Sequence, residues 1–400
     1  GFSYRVISSF GARMSDGLTV PDKADGMGCF DIGGGKLALV RNHELKAKDI
    51  ARGAGAPVLN AFDRNKDGQP LPGGTTTVIY NPATGLVEQE FVSLLGTIRN
   101  CAGGITPWGS WLSCEEDVSK KDDGFTEDHG WVFEVPASAV GPVPAKPLKG
   151  LGRFNHEAAA VDPRTGIIYL TEDRDDSLFY RFIPHVPGKL AEGGRLQALG
   201  FTDAPEGGDS RNWDAVTWRA GDWKHAFWVE LEDTHSPEDD LRSRGHAQGA
   251  AIFARGEGIH WGDGELYFCC TSGGENILGQ IMRYRPSPFE GMHKEGDEPG
   301  TIQLFLESDS PNTFNFGDNL TVAPNGHLFV CEDQYTDTVD NHIRGVTPQG
   351  SAYDFARIRV QTEPAGACFS PDGKTFFVNL YSPAKTLAIT GPWQSVREGA

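Results

Sequence analysis

The stretch DNLTVAPNGHLFVCED, residues 318–333, decides the fold. It reads as an apolar strand, a tight turn and a second apolar strand that ends on a cysteine and two acids. The turn APNG carries the Pro, Asn and Gly that β-turns select. The same text recurs as VDPRTGIIYLTED (161–173) and PWGSWLSCEED (107–117). Aligning the chain on Gly35, Gly109, Gly166, Gly264, Gly326 and Gly373 gives six such units, irregularly spaced. Each is followed by a third strand that ends near a proline: TTTVIYNP (75–82), HGWVFEVP (129–136), SLFYRFIP (177–184), GQIMRYRP (279–286), NHIRGVTP (341–348) and KTLAITGP (385–392). Repeats of this kind predict an all-β chain, a six-bladed β-propeller with loop and short helical insertions, forming one domain over 1–400. FSYRVIS, from Phe2, is expected to complete the last unit and close the ring. A pair of β-sandwiches is the alternative; six aligned turns and six trailing strands speak against it.

Composition agrees with many short strands. The chain has 400 residues, 38% of them hydrophobic, with 51 Gly and 25 Pro. A net charge of -19 disfavours nucleic acid and anionic membranes as partners. No apolar run approaches the roughly 20 residues of a membrane span. The seven cysteines are scattered and do not form a disulfide framework. Cys114, Cys269, Cys331 and Cys368 are expected as small buried hydrophobes. The region 203–240, rich in Trp and charge, reads either as a lid over one face or as a surface insertion, with a helix near Pro237–Arg244.

The paired acids at strand ends pose the functional question. A hairpin brings the start of its first strand beside the end of its second. Starts of equivalent strands then converge on one mouth of the central channel, which gathers Cys101, Glu157, Glu257 and Asp318. Behind them come Glu44, Glu115, Glu116, Glu172, Asp173, Glu332 and Asp333. So many carboxylates need cations. Oxygen ligands suit Ca²⁺, and a thiolate adds a preference for a transition metal. DRNKDG, with Asp63, Asn65, Asp67 and Gly68, resembles half an EF-hand loop but has Gly74 where the last glutamate belongs. Arg255 precedes Glu257 by two residues and is expected to share its strand face, aimed at the cluster. There it either clamps a phosphate or forms a salt bridge to a ring acid.

At these residues the chain resembles the PhoX alkaline phosphatases. The resemblance rests on NHEL (42–45), NCAGGITPWGSWLSCEED (100–117), FNHEAAAVDPRTGIIYLTED (154–173), FARGEGIHW (253–261) and DNLTVAPNGHLFVCED (318–333). It implies a six-bladed propeller holding iron and calcium ions joined by an oxo bridge, hydrolysis of phosphate monoesters and export by the twin-arginine route. Cys101, Glu157 and Glu257 then look like Fe³⁺ ligands. The remaining acids look like the pool that supplies Ca²⁺ ligands, and Arg255 looks like the phosphate clamp. The implied partners are small-molecule phosphate esters, the implied form a monomer and the implied location periplasmic or secreted. A calcium-dependent lactonase and a non-catalytic metal-stabilised binding propeller are the alternatives. The excess of acids and Cys101 count against the first, and Arg255 beside the ligands against the second.

Overall fold

The computed structural model describes residues 1–55 and 60–393. Strand β1 (Ser3–Ser9) opens the chain. A first unit follows with β2 (Ala24–Asp31), β3 (Leu37–His43), β4 (Gly73–Asn81) and β5 (Leu86–Thr97), and a second with β6 (Asn100–Ile105), β7 (Ser110–Glu115) and β8 (Val132–Pro136). The third holds β9 (His156–Val161), β10 (Ile168–Glu172), β11 (Tyr180–Pro184), β12 (Gly194–Phe201) and β13 (Trp223–Glu230). After helix α1 (Leu241–Ala247) come β14 (Gly256–Trp261), β15 (Leu266–Cys270), β16 (Gln280–Arg285) and β17 (Thr301–Glu307). The fifth unit is β18 (Gly317–Val322), β19 (Leu328–Glu332), β20 (His342–Val346) and β21 (Ala352–Arg357). The sixth is β22 (Pro364–Phe369), β23 (Thr375–Leu380) and β24 (Lys385–Thr390). All six aligned glycines have positive φ, from 68° at Gly373 to 84° at Gly109, the left-handed turn position that disfavours a side chain.

The molecule is all-β and propeller-like. Its inner strands close a ring: β2 packs on β6, β6 on β9, β9 on β14, β14 on β18, β18 on β22, and β22 back on β2. Hydrogen bonding divides the strands differently from the expected six separate blades. It gives five sheets, because the third and fourth units merge into one of nine strands. The join is β13, which pairs with β12 on one side and with β17 on the other. The Trp-rich stretch 203–240 is therefore not a lid as a whole, since its central part is a sheet strand. Helix α1 begins four residues beyond the expected start, at Leu241. β1 pairs with β24, Ser3 opposite Thr390, so the first strand completes the last unit as expected.

Apolar layers between neighbouring units hold the ring. Val40 and Phe30 meet Trp111 and Phe133 between the first two units; Leu112 and Val132 meet Leu170 and Tyr180 at the next interface. Tyr169 and Phe179 stack toward Phe268 and Met282, and Cys269 and Ile281 meet Leu328 and Val330. Phe329 and Ile343 meet Phe376, and Phe377 with Cys368 returns to Leu39 and Val78. Strands such as β3 and β10 are buried along their whole length because a neighbour covers each face. The four cysteines expected in the core are buried there.

Candidate metal centre

One backbone irregularity, repeated six times, builds the site. In each inner hairpin two residues of the first strand face one residue of the second. Residues 25–26 lie between the pairs Ala24–His43 and Met27–Arg41. The equivalents are 101–102, 157–158, 257–258, 318–319 and 366–367. These are β-bulges, which turn a side chain out of the normal pleat. Their first residues are Asp25, Cys101, Glu157, Glu257, Asp318 and Gly366. Their second residues are Gly26, Ala102, Ala158, Gly258, Asn319 and Ala367, mostly small because the next unit presses on them. A Cβ on Gly258 would lie 2.7 Å from Asn319 Cα, and one on Gly26 would lie 2.5 Å from Ala102 Cα.

A second repeated contact lies just outside the bulges. The N–H groups of Glu44, Glu116, Asp173, Thr271, Asp333 and Tyr381 donate to the carbonyls of Lys23, Arg99, Asn155, Arg255, Phe316 and Glu363. Lys23, Arg99, Arg255 and Phe316 all take left-handed backbone, with φ from 45° to 54°. The mouth thus carries an outer ring, four of its six members acids, and a ring of corner residues around the bulge ring.

The ligand atoms of Cys101, Glu116 and Glu157 lie within 4.8 Å of one another, and so do those of Glu157, Glu257 and Asp318. Glu157 belongs to both groups. Its Oε2 is buried with no hydrogen-bond partner among the described residues. Cys101 Sγ lies 3.6 Å from Asp25 Oδ2. Burial, then the neighbouring charges, pushes the carboxyls of Asp25, Glu157 and Glu257 well above the ordinary range. Burial and Asp333 raise Asp318 to about 7. Burial and the surrounding acids also raise the Cys101 thiol. A largely buried set of mutually repelling acids around a thiol, with an orphaned oxygen at its centre, fits a cluster of cations.

The acids behind this set divide by strand alternation. Glu116 and Asp173 face the cluster and lie side by side. Glu44 lies near Asp25, and Asp333 near Asp318. Their neighbours Glu115, Glu172 and Glu332 point the other way, because successive side chains on a strand alternate faces. Glu115 accepts from His129 Nδ1 at 2.7 Å and from the backbone of Ile98, Gly130 and Trp131. Glu172 accepts from Tyr180 at 2.6 Å, and Glu332 from Arg344 at 2.7 Å. The structure thus does not bring these three to the cluster. His129 also reaches Asp63 at 3.2 Å. Burial opposes the His129 charge, but Glu115 and Asp63 outweigh it and raise its pKa to about 10. Asp63 accepts backbone N–H bonds from Arg64, Thr126 and Glu127, and Asn65 caps its own turn. DRNKDG is therefore a braced turn and not a calcium loop.

Arg255 reaches the cluster from the corner before β14 rather than from within the strand. Its Nε donates to Asp173 at 2.6 Å, and Nη2 donates to Glu257 at 3.0 Å and to the Tyr335 hydroxyl at 3.0 Å. The Tyr335 ring lies 5.1 Å from the guanidinium. Arg99 holds Glu44 and Glu116 in the same manner, and Tyr381 donates to Glu44. Sequence reading missed Asp25, Glu363, Arg99, Tyr335 and Tyr381. Asp25 was legible, since it fills the bulge slot of the first unit. Glu363 was not, since Gly366 holds the sixth slot and Glu363 reaches Asp333 from before the strand.

Curated proteins give no match. The structure of Pseudomonas fluorescens PhoX in complex with vanadate, a transition state analogue, aligns with a TM-score of 0.72 at 20% identity, covering 98% of this chain and 95% of that one. That likeness speaks for the fold. A gluconolactonase from Xanthomonas campestris reaches a TM-score of 0.48 at 11% identity, over 97% and 98% of the two chains. A family model, Alkaline phosphatase PhoX, matches residues 1–384, and the chain belongs to that family.

Proposed function

We propose that the protein is a metal-dependent phosphomonoesterase that hydrolyses small phosphate esters with Fe³⁺ and Ca²⁺ held at the bulge ring. The carrying observation is the buried set Asp25, Cys101, Glu116, Glu157 and Glu257 with half-buried Asp318 beside it, and Glu157 Oε2 unpartnered at its centre. The Cys101–Glu116–Glu157 group, with its thiol, suits iron, and the all-oxygen Glu157–Glu257–Asp318 group suits calcium. Glu44, Asp173, Asp333 and Glu363 complete the supply of oxygen ligands. When bound, such cations neutralise phosphoryl oxygens and the departing oxygen.

The chain's own part is to place the ester. Asp173 takes the Nε–Nη2 edge of Arg255 and Tyr335 backs it, which orients Nη1 for an oxyanion. The merged nine-stranded sheet is read here as two blades joined at their outer edges. The whole chain is then one six-bladed propeller domain, acting as a periplasmic or secreted monomer. The test combines metal analysis with steady-state kinetics on an aryl phosphate. Wild type should contain iron and calcium, be coloured by thiolate-to-iron charge transfer and turn the ester over at alkaline pH. Cys101→Ala should lose iron and colour. Arg255→Lys should keep the metals and lose about ten- to a hundredfold in kcat/KM, the worth of a charge-assisted contact. A fully loaded wild type that hydrolyses no phosphomonoester would sink the reading.

A further inference from the structure

Two arginines of the mouth are built alike. Arg99 and Arg255 each sit at the corner before an inner strand and bind acids on either side. Arg99 Nε donates to Glu44 at 2.8 Å and Nη2 to Glu116 at 2.6 Å. Their side chains are similarly exposed, 23% and 21%. Glu116 and Asp173 lie side by side, so the mouth reads in order Glu44, Arg99, Glu116, Asp173, Arg255, Glu257. The corner conformation is shared with Lys23 and Phe316, so it reports the repeat and not a role.

The pocket beside Arg99 distinguishes it. A space of about 310 Å³ opens there, lined by Arg99, Ser119, Asn155 and Arg174. Glu116 and Asp117 border it too. Glu116 is turned to the cluster, and Asp117 Oδ1 is tied into a turn by Ser119 N at 2.8 Å and Oγ at 2.5 Å. Arg174 Nη1 donates to the Asp173 carbonyl at 3.3 Å, and Nη2 stands 3.7 Å from Asp239. Asn155 Nδ2 donates to Glu116 Oε1 at 3.1 Å and to the Asp173 carbonyl at 3.2 Å, and the Ser119 hydroxyl donates to Asp117, so the donors the lining offers come from the two guanidinium groups, next to the place where the phosphoryl group would bind.

Resting on the phosphatase reading, we infer that this pocket is an anion subsite for the alcohol portion of the ester. Preferred substrates carry a second anionic group, a carboxylate or a phosphate, on the leaving side. Arg99 and Arg174 receive it, while Arg255 keeps the phosphoryl group being transferred.

Calorimetry of the metal-loaded protein with two phosphonates reads the subsite without turnover. 3-Phosphonopropionate and propylphosphonate differ by a carboxylate in place of a methyl group. Wild type should bind the carboxylate compound about tenfold more tightly, the worth of one charge-assisted contact. Arg99→Gln and Arg174→Gln should each bring the ratio close to one. The Arg174 side chain hydrogen-bonds no cluster carboxylate among the described residues, so Arg174→Gln carries the test even where Arg99→Gln loses metals. Equal wild-type affinities, or a preference that survives Arg174→Gln, overturn the inference. The expected ratio in a protein that turns over no phosphomonoester would support the subsite and overturn the phosphatase reading alone.

Discussion

Glu115 and Glu116 are adjacent, identical in chemistry and opposite in role. Glu116 faces the cluster; Glu115 is buried against His129, itself wedged against Asp63. Removing Glu115 leaves a buried imidazolium without its main counter-charge, and breaking such a pair costs about 3–5 kcal/mol. Glu115→Ala should therefore lower the denaturation midpoint strongly yet keep the metal content. Glu116→Ala should lose metal, and with it only the stability that the bound metal confers. Chemical denaturation and elemental analysis on both variants check this, and the same loss of metal from both would undo the division by alternation. The sequence shows that acids gather at these strand ends, but not which of a pair faces inward. That depends on where the ladder slips, and a bulge leaves little trace beyond small residues at its second position.

Hairpins were the most legible elements. Each aligned glycine sits at a positive-φ turn, and each expected third strand exists, because turn chemistry and strand pattern are local. The outer connection between the third and fourth units was not legible. β13 pairs with β17 across 70 residues of intervening chain, Lys224 opposite Ile302, and its Trp-rich text does not announce a strand. The bulges are the element that links fold to site, and they tolerate no extra bulk. In Gly258→Ala the new methyl would meet the Asn319 backbone, forcing apart the neighbours that carry Glu257 and Asp318. Overpacking of this kind costs about 1–3 kcal/mol. The expected result is a lower melting temperature together with reduced calcium content. Full metal occupancy in this variant would show that the bulges do not set ligand position.

At the scale of the whole molecule, acids from all six units meet at one mouth. Ligands that bind only the folded ring stabilise it by mass action. Chelation should lower the melting temperature, and returned Ca²⁺ should restore part of the loss; an unchanged melting curve would mean that the acids do not hold ions. The same ring has a consequence in time. β1 and β24 come from opposite ends of the chain, and so do Glu44 and Tyr381, which meet at the mouth. Contacts so distant in sequence form late, since their loop entropy must be overcome first. The first unit cannot present its acids in final geometry until the last has been made, so the mouth matures only after the chain is complete. Pulsed hydrogen exchange during refolding should then find the β1 and β24 amides protected last; early protection there would mean that closure leads assembly and that the outer units fold onto a ring already shut.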